Sequence, residues 1–331
     1  MKLLVGIPHM DLLIQEESVM RLRAHGLVLI VNETGKMAER SFLEKHIQHV
    51  DAYIAGGEPI DRNLLERAFR LRVIARYGVG LDTIDVAFAT QRDIVVTTTA
   101  GANANAVAEH TIMLMLSAMR RTTYYHKAVL EGRWDIVEFP ELTAKAIGLI
   151  GFGRIGRLVA SRLSGFTPNI LVFDPYVSQE DIVRLGYRSC PLEELLASAD
   201  VVSLHMPDAE GVHVIGRNEL LLMKPSAFLI NTARGALVDE EALYWALSNE
   251  IIAGAGLDVV QSEPCGADNR LLQLPNVVVT PHIAGGSREN HEEAGRICVS
   301  AVIDVLFNAK VPETAVNGTM VHVGEVLDER V

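Results

Sequence analysis

A chain of 331 residues with 49% hydrophobic and 22% charged residues has apolar surface enough for about two ordinary cores and no compositional case for disorder. Its formal net charge of −12 argues against a broad nucleic-acid or anionic-membrane surface, so an anionic ligand would have to be held by a few local cations. The three cysteines, Cys190, Cys265 and Cys298, are widely spaced and include no C-x-x-C pair; they fit neither a disulfide framework nor a structural zinc site, and a reducing cytoplasm with no metal is the simplest expectation.

The opening MKLLVGIPHMDLL carries one lysine and a short apolar run, but Pro8, His9 and Asp11 interrupt it before a signal peptide's apolar segment can form, and it reads as a first strand. No stretch approaches about 18 uncharged apolar residues, so no membrane span is expected. Up to about residue 98, apolar runs of strand length at Leu3 to Ile7, Leu27 to Val31, Ala52 to Ala55, Val73 to Ala75 and Ile94 to Val96 alternate with helical patterns, among them Asp61 to Phe69 with Asp61 as its cap. That rhythm predicts an α/β domain with glycine-rich loops, Gly56-Gly57 and Gly78-Val79-Gly80, after strands, where open parallel sheets place their ligands. An apolar helix from Ala104 to Met119 follows, read as a core or oligomer-contact helix.

The stretch Ala146 to Leu163, AIGLIGFGRIGRLVASRL, reads as strand, glycine turn and helix. Gly151 suits a tight turn, Gly153 lets the backbone approach a pyrophosphate, and Gly156 lets the helix pack close to the strand. The pyrophosphate would then meet the open N–H groups of the helix start. A second apolar strand, Ile170 to Phe173, ends in Asp174, eighteen positions after Gly156, where an acidic residue receives the ribose hydroxyls of NAD. Asp174 would also repel a 2′-phosphate, and the following Pro175-Tyr176 supplies no cation to offset this, so NAD is expected over NADP. Further strands at Val201 to Leu204, Phe228 to Ile230, Ala253 to Leu257 and Val277 to Val279 end at His205, Asn231, Asp258 and Thr280. A helix from Arg288 to Phe307 closes the pattern, and Val321 to Val331 reads as a loosely held tail.

Hydride transfer to or from an alcohol carbon needs a base for the hydroxyl proton and a cation near the reacting oxygen. Arg234, in NTARGALVDE, can clamp a carboxylate and polarise the neighbouring oxygen. His282, in VVVTPHIAGG, can exchange the proton, and Glu263, in GLDVVQSEP, is a candidate to hold its tautomer. Taken singly, each has a duller reading as a surface Arg, a His at a strand end and a loop Glu before Pro264.

Taken in order after GFGRIG, the words NTARG, GLDVVQSEP and PHIAGG resemble the D-2-hydroxyacid dehydrogenase family, which includes phosphoglycerate dehydrogenase. The resemblance reaches back to RYGVGLDTID and AGANANAVAEHTIMLML and spans about residues 50 to 300. It implies two Rossmann-like, doubly wound α/β domains, residues 1–98 with 285–331 for substrate and 99–284 for NAD, with the active site in the cleft. It implies catalytic roles for Arg234, Glu263 and His282, a carboxylate cradle at the backbone of Val79 and Gly80, and nicotinamide contact by Asp258. Arg154, Ile155, His205 and Thr232 join the expected dinucleotide site, and Arg76 the substrate site. A homodimer with the apolar helix in its contact and an arm through Gly132-Arg133-Trp134 over the partner is likewise implied. Where many relatives read SLHxPLT this chain has SLHMPDAEG, with Asp208 and Ala209 on the adenine side.

Two rivals share these motifs. A non-enzymatic NAD-responsive regulator, resembling the family's corepressors, keeps the turn and the trio but is disfavoured by the lack of a long disordered extension; formate dehydrogenase has Gln where Glu263 stands. For the substrate, a phosphorylated acid needs a second anion site, yet the loop after the third strand reads Ala55-Gly56-Gly57-Glu58-Pro59, and Trp134 is followed by Asp135-Ile136-Val137-Glu138. Arg76, Arg120 and Arg121 remain as cations. The expectation is a small D-2-hydroxy acid or its 2-oxo counterpart, such as glyoxylate or hydroxypyruvate, with phosphoglycerate as the alternative.

Overall fold

Strands with both faces covered by helices must be apolar along their whole length, because successive side chains enter opposite layers. The computed structural model, which describes residues 1–7, 16–167, 169–207 and 211–318, shows this in two compact units, residues 1–103 with 287–331 and residues 104–286. The changeovers fall five and two residues beyond the expected 98 and 284. Pro8, His9 and Asp11, the pair Asp208 and Ala209, and the tail Val321 to Val331 lie outside the described residues.

The first unit has a parallel sheet of β1 (Lys2–Val5), β2 (Val28–Val31), β3 (Ala52–Ala55), β4 (Val73–Arg76) and β5 (Val95–Thr97), in the order β2-β1-β3-β4-β5. Leu3, Val5, Ala52, Ile54, Val73 and Ala75 face one layer, with Val299 and Val302 of the helix Arg288–Phe307. Leu4, Tyr53, Ala55 and Ile74 face the other, with Leu43, Leu64 and Phe88. Each such fully buried Leu or Ile contributes about 1.5–3 kcal/mol. Ser287 starts the closing helix as its N-cap, its hydroxyl oxygen accepting from the Asn290 N–H at 3.0 Å. Beyond that helix, Asn317 accepts from Val96 N at 2.8 Å and donates to Ile94 O at 2.8 Å, so the segment around it is stitched to β5 and stretches from both sides of the second unit build this one. The helix expected over Asp61 to Phe69 is capped by Asp61 but stops at Glu66, since the Arg67 N–H already closes a tight last turn on Leu64 O.

The second unit has a parallel sheet of seven strands: β6 (Ile147–Ile150), β7 (Ile170–Phe173), β8 (Arg188–Ser189), β9 (Val201–Leu204), β10 (Phe228–Asn231), β11 (Gly254–Leu257) and β12 (Val277–Val279). Their order is β12-β11-β10-β9-β6-β7-β8, so the direction of winding reverses at β6 and β9. Phe228 and Ile230 enter the layer that holds the helix Ala104–Arg120, whereas Leu229 between them enters the opposite layer with Leu243 and Leu247. Ala108, Thr111, Leu114, Met115, Ala118 and Met119 of that helix are buried within the unit, which makes it a core helix. Among the described residues, no helix is long and apolar enough to cross a membrane, and no group of three or more His, Cys, Asp or Glu could hold a metal ion.

Candidate active site

The winding reversal places the glycine turn at the carboxyl end of β6, the position where open α/β sheets bind ligands. Gly151 has φ +98°, and a Cβ on it would lie 2.6 Å from the His205 carbonyl, so only glycine lets the loops after β6 and β9 pack together. A Cβ on Gly156 would collide with the Gly151 carbonyl oxygen, which explains the close seating of the helix Arg154–Leu163 on the turn. Gly153 differs: a Cβ there meets nothing within 4 Å, and the helix opens at it without a side-chain cap. Open space beside uncapped N–H groups is what an anionic diphosphate requires.

Asp174 closes the other side. Its carboxylate accepts from Phe152 N at 2.6 Å inside the turn and from Tyr176 N and Val177 N at 2.7 and 3.0 Å. Ile155 turns its side chain into the apolar layer, so what it can offer an anion is its backbone N–H; Arg154 lies beside it at the helix start. His205 bonds Ser203 through Nε2 at 3.0 Å, and burial pushes its pKa down to about 4, so the ring is neutral near pH 7. Thr111 donates its one hydroxyl hydrogen to Val107 O, so in the 2.8 Å contact between hydroxyls Thr232 is the donor.

Adjacent strand ends β10, β11 and β12 carry the remaining three residues. After β10, the Asn231 side chain donates to Arg234 O at 2.8 Å and accepts from Ala233 N at 3.0 Å, closing a turn that presents Arg234, whose Nη1 donates to Ala233 O. After β11, Glu263 accepts from Val260 N through Oε1 at 3.1 Å and meets His282 Nδ1 through Oε2 at 2.6 Å. A carboxylate only accepts, so Nδ1 carries the hydrogen and Nε2 is the nitrogen left to exchange a proton.

His282 itself is held by its backbone. It has φ +53°, and its N–H donates to Asp258 O and Thr280 O at 2.8 and 3.0 Å. Asp258, 1% exposed, accepts from Thr280 Oγ1 at 2.5 Å, Ile283 N at 3.0 Å and Ala284 N at 2.8 Å, with His110 Nε2 3.4 Å away. The carboxylate expected at the nicotinamide thus clamps the loop that carries the histidine. The sequence marks Asn231 and Thr280 only as strand ends and gives no sign of His110; a hydroxyl two residues before His282 is the visible hint for Thr280.

Arg76, Val79 and Gly80 lie together in the first unit. Gly78, at φ +138°, is pinned by Thr99, which accepts from Gly78 N at 3.0 Å and donates its own N–H to Gly78 O at 3.0 Å, while Val79 is exposed. Arg76 donates through Nε to Gly80 O at 3.0 Å and through Nη1 to Gly56 O and Tyr77 O. The cation expected to receive substrate is engaged with three carbonyl oxygens and shapes the loop.

Residues 112–284 match the family model described as D-isomer specific 2-hydroxyacid dehydrogenase, NAD binding domain. The chain is 36% identical over 318 residues to a glyoxylate reductase from Korarchaeum cryptofilum, covering 94% of this chain and 95% of that protein. It is 38% identical over 309 residues to a D-3-phosphoglycerate dehydrogenase from Archaeoglobus fulgidus, covering 92% of this chain but 57% of that protein's length. The crystal structure of a D-lactate dehydrogenase from Aquifex aeolicus complexed with NAD and lactic acid is similar with a TM-score of 0.81 at 28% identity, over 98% of this chain and all of that one.

Proposed function

This chain belongs to the D-2-hydroxyacid dehydrogenase family, NAD-dependent oxidoreductases of CH–OH donors, and from that premise we propose that it interconverts a small, unphosphorylated D-2-hydroxy acid and its 2-oxo acid, with glyoxylate or hydroxypyruvate as the 2-oxo partner. NAD supplies or accepts the hydride when bound, and Gly151, Gly153, Gly156 and Asp174 are the residues that would hold it. In reduction, His282 Nε2 gives its proton to the carbonyl oxygen as the oxygen gains negative charge; in oxidation it takes the hydroxyl proton. Glu263, accepting from Nδ1–H, leaves Nε2 as the exchanging nitrogen, bare in the neutral ring that takes the proton and protonated in the imidazolium that gives it. Arg234 offers a planar fork of donors to the carboxylate and the reacting oxygen, and the Val79 and Gly80 N–H groups are read as the second carboxylate contact.

The observation that carries the choice of substrate is the loop after β3. Its charged residue is Glu58, buried at 2% exposure, and the neighbouring Arg76 is tied to backbone carbonyls. A phosphate dianion brought to that loop would meet a carboxylate and no uncommitted cation of the Gly56 to Pro59 segment. A side-by-side assay of glyoxylate, hydroxypyruvate and phosphohydroxypyruvate with NADH and NADPH tests this. The expected order favours the unphosphorylated acids with NADH; a kcat/KM at least about tenfold higher for phosphohydroxypyruvate overturns the reading.

A homodimer is part of the same proposal. In the arm expected to lie over a partner, Trp134 is 82% and Ile136 95% exposed, an apolar pair that a second copy would cover. Light scattering that gives a monomer mass near 36.2 kDa at micromolar concentration rules the dimer out.

A further inference from the structure

A buried carboxylate is costly unless donors surround it, so its position in a loop calls for an explanation from what it holds. Glu58 lies after β3, and its Oε1 accepts from the Gly56 N–H at 2.8 Å and from the Tyr53 hydroxyl. Its Oε2 is buried with no hydrogen-bond partner among the described residues. A Cβ on Gly56 would lie 2.7 Å from that oxygen, so glycine there makes the room for the carboxyl group. Gly56 is held at both ends, because its carbonyl receives Arg76 Nη1. The same guanidinium reaches Gly80 O through Nε. Burial pulls Arg76 below its usual pKa, and Glu58 is the largest opposing charge. Burial and the Glu58 charge both raise the pKa of Tyr53, which keeps its hydroxyl a donor.

We propose that Glu58 is a positioning residue that sets the Gly78-Val79-Gly80 loop through a relay: the carboxylate fixes Gly56, Gly56 seats Arg76, and Arg76 holds Gly80. The consequence for substrate rests on the reading of Val79 and Gly80 as a carboxylate contact. Glu58 then has two effects from one position: it orders the cradle for the first carboxylate and places a negative charge where a second anionic group would have to bind.

The test is a double-mutant cycle in the full chain. Glu58→Gln keeps the shape but replaces the charge-assisted hydrogen bond from Gly56 N–H with a weaker neutral one and removes the charge that faces Arg76, and Arg76→Lys keeps a charge but cannot bridge the Gly56 and Gly80 carbonyls. Each should speed hydrogen–deuterium exchange in the 76–81 peptide and raise KM for the 2-oxo acid by about tenfold, with kcat within about threefold and NADH affinity unchanged. The double variant should be no worse than the worse single. Additive effects on exchange, or unchanged exchange in Glu58→Gln, overturn the relay. Faster exchange with an unchanged KM supports the relay and instead sinks the carboxylate reading of Val79 and Gly80. If Glu58→Gln does not fold, Tyr53→Phe, which removes one hydroxyl from the same carboxylate, is carried through the same measurements with the same criteria.

Discussion

Gly235→Ala is the substitution whose effect the geometry defines most sharply. A Cβ at this position would lie 2.6 Å from Gln261 N and closer still to the Val260 carbonyl, against about 3.4 Å for ordinary contact. Both neighbours are backbone, so no rotamer change relieves the clash, and the loops after β10 and β11 must part by about 1 Å. Arg234 precedes Gly235, and the Val260 N–H holds Glu263, which in turn holds His282. The shift therefore separates the Arg234 guanidinium from the Glu263–His282 pair. Overpacking of this kind costs about 1–3 kcal/mol, a loss of a few degrees in Tm. A misplacement of about 1 Å at reacting groups costs on the order of 100-fold in rate. The assay is kcat/KM for the 2-oxo acid with NADH beside NADH binding by fluorescence: the first should fall about 100-fold, the second should hold, since the Gly151 turn and Asp174 are untouched. Gly165→Ala, where the nearest atom to a new Cβ is Arg162 O at 3.7 Å, is the matched control and should be silent. Wild-type kcat/KM in Gly235→Ala would refute the proposed dependence of the trio on this backbone contact.

His282→Ala should lower kcat by about 10²- to 10⁴-fold while NADH binding is kept, because the imidazole is proposed as the group that exchanges the proton and does not belong to the glycine turn; near-normal kcat means another group is the acid/base. Of the three thiols, Cys298 is buried and pushed up to about 12, and buried Cys190 is also raised, in both cases by burial first, so native protein should give one fast-reacting thiol, Cys265, and three after denaturation. Two or more fast thiols in the native state would contradict that burial. His205 titrates near 4 folded and 6.5 unfolded, so as pH falls through this window the unfolded chain takes the proton first and stability is lost, by at most about 3 kcal/mol. Denaturant midpoints measured at about pH 7 and about pH 5 should drop further for the parent than for His205→Gln; equal drops mean the ring is not held neutral.

The features legible in the sequence were those with a local physical cause. Apolar runs marked strands covered on both faces, and the ranges of β3, β7, β9 and β12 agree residue for residue with the expected runs. Gly151 was legible because the turn it makes demands φ > 0, and the strand ending in Asp174 because a carboxylate is a chemical requirement at the end of β7. Arg234, Glu263 and His282 were legible as residue types in family words. Glu263 was expected as the partner of the His282 imidazole, and the 2.6 Å contact matches that pairing; what the sequence did not show is that it joins loops from neighbouring strands, because strand order is not written in periodicity. The same gap hid the contacts of three charged residues. Asp258 turned out to clamp the His282 loop, Arg76 to hold carbonyls, and Glu58, read in the sequence only as a missing cation, to be buried against Tyr53. A charge is a property of one residue, whereas its burial and its partners belong to whichever strand ends the sheet brings together, and only the tertiary structure decides that.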